Sequence, residues 1–283
     1  MDRQSVNTLK IRKINLFFCN QYYMLLVLVT FLLTSAHANS SDGLTFPPSH
    51  QSSYSIEKYG THVGDMHNEL SSQNNQLTYI SQTKAAGFAS LFVKNDFIET
   101  SILSWFQSEK ARTLQQQSYQ LFRGKRHKKN QSISFDWSDA AAIKITGNYK
   151  NSTYDISSEK TVWGRHLIPL IMSKELLTNN NISSNTFHIT DKGGLQNYTY
   201  TLEKHETMEF SGKTYPVLKF SIKRENSNRM SYIWLSGAHH YLPLKIEQYK
   251  DGDLNVSMLM TRFRIAEKTK HVIHEEEEVE YDD

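Results

Sequence analysis

In the stretch VLKFSIKR, residues 217–224, Leu218, Phe220 and Ile222 fall on one side of an extended chain, and Lys219, Ser221 and Lys223 fall on the other. Successive side chains of a strand point to opposite faces, so this segment must bury one face and wet the other. The same period of two recurs in QLTYISQT (76–83), FASLFV (88–93), SISFDW (132–137), AIKIT (142–146), YTYTL (198–202) and YIWL (232–235). Half-buried alternating strands belong to antiparallel sheets, whereas parallel strands, covered on both faces, read as continuous apolar runs. The pattern predicts a mainly β protein: a curved antiparallel sheet or open half-barrel with one packed helix. The helix is expected over 165–178, with Leu167, Leu170, Ile171 and Lys174 on one side. Pro169 is tolerable there only because it falls in the first turn. Residues 107–118, QSEKARTLQQQS, suit a second helix or an extended polar segment.

The stretch LKIEQYKDGDLNVSMLM, residues 244–260, predicts a hairpin. A two-residue Asp251-Gly252 loop would set Ile246 opposite Ser257 and mix the faces. A three-residue loop, Lys250 to Gly252, places the glycine at a left-handed bulge and pairs Ile246 with Val256 and Leu244 with Met258. The second register is expected, because a slip by one residue turns the apolar set to water.

The N-terminus reads as a secretory leader. Arg3, Lys10, Arg12 and Lys13 precede the apolar run Met24–Leu33, and Ala36 and Ala38 stand where a signal peptidase requires small residues. The alternative is an uncleaved inner-membrane anchor over 14–34, interrupted by Asn20 and Gln21. Residues 39–50, with their Pro-Pro pair, read as a linker, 51–268 as one β-rich domain and 269–283 as an acidic disordered tail. The one cysteine, Cys19, lies in the leader, which leaves the remainder without thiols. Export without cysteine points to the periplasm of a Gram-negative bacterium. The net charge of +3 conceals a mildly basic body and a tail, EEEEVEYDD, that carries seven acids. Neither part has the dense basic stripe of a nucleic-acid binder.

The chemical motifs are weak. His239 and His240 are adjacent, so a strand would turn them to opposite faces, and Ser236-Gly-Ala-His is not a nucleophile elbow. THVGDMH (61–67) reads as a turn between the first strands. His271 and His274 belong to a like-charge tail that cannot fix a metal's geometry, and Asp136 and Asp139 around Trp137 do not amount to a glycosidase pair. No glycine-rich phosphate loop or paired-cysteine motif occurs. No catalytic residue, metal or cofactor is therefore assigned. Lys125, Arg126, Lys128 and Lys129 in GKRHKKN form the sharpest positive cluster; it suits a solvated hairpin tip or contact with an anionic surface, at about 1 kcal/mol per basic residue.

Several features together resemble the bacterial exported domain-of-unknown-function family 3108. They run from Tyr54, Tyr59 and Gly64 through Tyr79-Ile-Ser-Gln-Thr-Lys-Ala-Ala-Gly87, Glu99-Thr-Ser101 and Phe135-Asp-Trp137. Trp234-Leu, His240-Tyr-Leu-Pro243-Leu-Lys245 and Gly252 close the set, while Trp163-Gly-Arg-His departs from the plainer helix start of the family. The resemblance implies an exported envelope protein built on a curved antiparallel sheet, with no assigned catalytic residues.

The expected function is non-enzymatic: a periplasmic binding, carrier or assembly factor for an apolar ligand or an envelope partner such as a lipid, a lipoprotein or another envelope protein. Leu218, Phe220, Ile222, Ile246 and Met258 are its candidate lining. The alternative is a periplasmic hydrolase with a scattered site around Ser236 and His239 or His62 and His67. The first reading supposes that the conspicuous polar groups serve turns and rims. An imidazole bonded to a hydroxyl or carboxylate inside a cleft would contradict that supposition and the carrier reading built on it.

Overall fold

The computed structural model describes residues 45–266, apart from 88–89, 91–95, 110, 124–129 and 151. The leader with Ala36 and Ala38, the alternative span 14–34, most of FASLFV, the basic residues Lys125, Arg126, Lys128 and Lys129, and the tail with His271 and His274 lie outside the described residues. Among the described residues, no helix is long and apolar enough to cross a membrane.

Fifteen strands form one sheet among the described residues. In chain order they are β1 (His50–Lys58), β2 (Thr61–Gln73), β3 (Gln76–Ala85), β4 (Phe97–Gln107), β5 (Arg112–Phe122), β6 (Gln131–Asp136), β7 (Ile143–Tyr149) and β8 (Ser152–Ser158). Then come β9 (Val162–Gly164), a 3-10 turn (Arg165–Leu167), helix α1 (Ile168–Thr178), β10 (Ser184–Asp191), β11 (Gly194–Phe210), β12 (Lys213–Arg224), β13 (Arg229–Ser236), β14 (Leu242–Lys250) and β15 (Asp253–Ile265). The spatial order runs β8 down to β1, then β15 down to β9. Neighbours are antiparallel except β9 and β10, which are parallel and joined through α1. The sheet curls until β9 reaches β5, where the Gly164 N–H donates to Gln116 Oε1 at 2.6 Å. The result is a nearly closed barrel-like sheet with a helix inside it.

α1 begins with Pro169 in its first turn, as the missing N–H demands. It is buried on more than one side: Ile168, Leu170, Ile171, Met172, Ser173 and Leu176 are all covered. A helix apolar nearly all round belongs in an interior, and here the sheet wraps it. Leu70, Leu103, Tyr200, Phe220, Ile233 and Leu235 pack around it in the main core. Phe46, upstream of β1, joins that core and meets Trp105 edge-on at 6.1 Å. A second core of Tyr119, Ile133, Phe135, Ile143, Ile145 and Val162 lies between β5–β7 and β9.

Two local expectations need correction, and a third, left between two alternatives, resolves. THVGDMH is not a turn but the start of β2, and the reversal precedes it at Tyr59-Gly60. Of the two readings of 107–118, the extended one holds where the strand is described: β5 runs from Arg112 through this segment. The β14–β15 hairpin turns through two residues: Lys250 pairs with Asp253, with Asp251 and Gly252 both at positive φ, as a primed hairpin turn requires. The apolar face is recovered further along, because the register shifts between Gln248 and Tyr249 and then pairs Ile246 with Met258. A bulge thus achieves what a longer loop was expected to do.

Candidate functional site

The curled sheet leaves a cavity of about 640 Å³ above the first turn of α1, within the usual range for ligand pockets. Ile222 from β12, Ile233 from β13, Ile246 from β14 and Met258 from β15 supply an apolar wall. Across from them, β1 to β4 present Tyr54, Asn68, Tyr79, Ser81 and Glu99 inward. The Tyr54 hydroxyl donates to the Pro243 carbonyl at 2.9 Å and ties the two walls together. Desolvation and the neighbouring Tyr79 drive its pKa far above the phenol value, so it stays protonated. Asn68 is buried, and its Oδ1 has no hydrogen-bond partner among the described residues.

The 3-10 turn before α1 carries the densest polar group. His166 sits between two hydroxyls, with Ser81 Oγ 2.7 Å from Nε2 and Ser101 Oγ 3.0 Å from Nδ1. Its ring stacks on Tyr79 at 4.6 Å. Burial lowers its pKa to about 4, against a raising influence of Glu99, so the imidazole is neutral at pH 7. Arg165 faces the cavity, with 53% of its side chain accessible. Burial works against its charge, but Asp191 (3.9 Å away) and then Glu99 outweigh it and hold the pKa above the ordinary arginine value. Lys192 shares Asp191 at 3.8 Å. Glu99 accepts a hydrogen bond from the Tyr119 hydroxyl at 2.7 Å.

The candidate lining residues divide. Ile222, Ile246 and Met258 border the cavity. Phe220 lies beneath it, fully buried and edge-on to Tyr200 at 5.4 Å, and Leu218 packs half-buried against the same core. The two histidine pairs stand elsewhere. His239 Nδ1 meets Ser236 Oγ at 3.1 Å in a buried turn, with its ring against Phe210, Tyr215 and Phe263. It is a packed residue rather than part of a strand edge. His62 pairs with Asp65 and His67 with Ser53, each on the exposed side of its strand, and the two imidazoles do not meet. Among the described residues no cluster of three or more His, Cys, Asp or Glu could hold a metal.

The supposition that the conspicuous polar groups mostly serve turns and rims fails its own test at His166, which is bonded to two hydroxyls inside a cleft. Only its odd place in Trp163-Gly-Arg-His signalled it, and its serine partners are 65 and 85 residues away in sequence.

A family model described as a protein of unknown function, DUF3108, matches residues 52–260. The chain belongs to the DUF3108 family. The match spans β1 to most of β15 and so covers both walls of the cavity in this DUF3108 protein. No curated protein matches it. Two solved structures are similar. One is a beta-barrel-like protein of domain of unknown function DUF1849 from Brucella abortus, at 10% identity and a TM-score of 0.47, covering 78% of this chain and 99% of that one. The other is a putative exported protein with a YmcC-like fold from Bacteroides fragilis, at 9% identity and 0.36, covering 77% and 98%.

Proposed function

We propose that this DUF3108 protein is a non-catalytic binding or carrier protein of the cell envelope, exported by its leader, and that its ligand is amphipathic. The observation that carries this reading is the cavity between an apolar and a polar wall. A purely apolar guest would cover the unpartnered Asn68 Oδ1 and strip water from the accessible part of Arg165, a heavy desolvation cost. A purely polar guest would leave Ile222, Ile246 and Met258 unused. The expected carrier of an apolar ligand is therefore replaced by one whose ligand has both characters. The test is mass spectrometry of the protein extracted under mild conditions. Copurified amphiphiles at near-stoichiometric amounts support the reading. Protein that is clean, and that also fails to bind the neutral dye N-phenyl-1-naphthylamine, removes it.

One observation favours the hydrolase alternative: the Ser81–His166–Ser101 arrangement inside the cavity. A base needs a pKa near the working pH to take a proton efficiently, and His166 lies well below it. Nor, among the described residues, does a carboxylate hydrogen-bond to this ring as the third member of a triad does; both nitrogens meet serine hydroxyls. Ester turnover that disappears in Ser81→Ala would reverse the order of the two readings.

A further inference from the structure

The mouth of the cavity carries an unusual pair. In β12 and β13 the register that places Lys223 opposite Met230 sets Arg224 directly opposite Arg229, and both side chains line the cavity. Like charges directly opposite on one face destabilise a sheet. No carboxylate relieves them among the described residues: Arg224 bonds Gln196 Oε1 at 3.1 Å and Ser227 Oγ at 3.4 Å, both neutral. Arg123 also lines the cavity, its guanidinium 4.9 Å from the centre of the Phe97 ring. Among the described residues the lining carboxylates are Glu99 and Asp191, already engaged, the first by Tyr119 and the second by Arg165 and Lys192. One step inward from the arginine pair on the same face come Ile222 and Ser231, and beyond Ser231 comes Ile233.

We infer that the amphipathic ligand is anionic, its carboxylate or phosphate head held between Arg224 and Arg229 at the mouth and its acyl chain laid inward along Ile222, Ile246 and Met258. This rests on the carrier reading and adds the charge and orientation of the guest. Guanidinium forks match carboxylate and phosphate oxygens in bidentate geometry, and an anion between two arginines removes the repulsion that the empty protein bears.

The test uses the full chain and displacement of N-phenyl-1-naphthylamine by decyl phosphate, decanoate, 1-decanol and inorganic phosphate. Either anionic amphiphile should bind at least about tenfold more tightly than decanol, and the tighter of the two identifies the head. The double variant Arg224→Gln/Arg229→Gln should abolish that difference and leave decanol binding unchanged. Without ligand it should melt about 1–3 °C higher, because the like-charge pair is gone. Equal affinities for decanol and the anions in the unaltered protein would overturn this inference and leave the carrier reading standing. Inorganic phosphate competing as well as decyl phosphate would overturn the chain placement. Failure of the dye and all three amphiphiles to bind would overturn both readings.

Discussion

The inward faces of β12–β15 and of β1–β4 enclose the same cavity, but their residues differ in kind. On the first, below Arg224, Arg229 and Ser231, the residues Phe220, Ile222, Ile233, Leu244, Ile246 and Met258 continue the packed core upward. On the second, Ser52, Tyr54, Asn68, Tyr79, Ser81, Glu99 and Ser101 turn polar groups inward: Ser81 and Ser101 bond His166, Tyr54 bonds the Pro243 carbonyl, and Glu99 accepts from Tyr119. A wall of the first kind stabilises a fold through area removed from water. A wall of the second kind contributes little net stability and specifies geometry, since each group left unpaired is costly. The contrast separates a wall held by packing from one whose groups depend on specific polar partners.

The comparison can be broken most sharply within a single strand. Phe220→Ala removes a ring beneath the cavity and should cost about 3–5 kcal/mol in urea unfolding. Ile222→Ala, two residues on, borders space that is already empty, adds little new cavity, and should cost about 1–2 kcal/mol. Equal losses would mean that the upper wall is as tightly packed as the core.

The polar wall should show itself in acid. The folded pKa of His166 lies below its unfolded value, so the unfolded chain takes up the proton first. Its contribution is fully present above about pH 6.5 and is lost as pH falls toward 4, by up to about 3 kcal/mol. His50, His239 and His240 are shifted in the same direction by burial and add to the slope. Unfolding measured between pH 7 and 4 should lose most of that slope in His166→Gln; an unchanged slope would place the titration on the other histidines.

Smaller effects sharpen the division of labour. Ile246→Ser should weaken N-phenyl-1-naphthylamine binding about tenfold, with secondary structure intact by circular dichroism. Ser81→Ala leaves His166 Nε2 without its hydroxyl and should cost about 1 kcal/mol, while dye affinity stays within about twofold. A reversal, with Ser81 governing dye binding and Ile246 indifferent, would exchange the roles of the two walls.

The apolar wall was readable in advance because Leu218, Phe220 and Ile222 alternate with lysines and serine, and only one of those faces can be buried. The polar wall was not. In HQSSYSIEK the inward face opens with His50 and Ser52, as polar as the Gln51 and Ser53 that face outward, and only Tyr54 and Ile56 mark the side that turns in. Residues 61–67 looked like a turn for the same reason, although Gly64 belongs to β2: a Cβ there would stand 2.4 Å from the Lys84 carbonyl oxygen. The β14–β15 register was misjudged because the compensating bulge lies in the pairing of two strands and leaves no mark on either one alone. Of the five candidate lining residues, three reach the cavity and two lie below it, a difference of depth along one face that periodicity cannot express.

By itself the sequence determined the class of fold and the position of its one described helix. Both follow from which side chains must leave water, a property local to each segment. Only the tertiary structure decided that the sheet curls far enough for β9 to reach β5, that His166 lies between serines from β3 and β4, and that Arg224 and Arg229 share a cavity mouth with no carboxylate between them. Those arrangements depend on how strands distant in sequence are brought side by side, and no single strand encodes its neighbour.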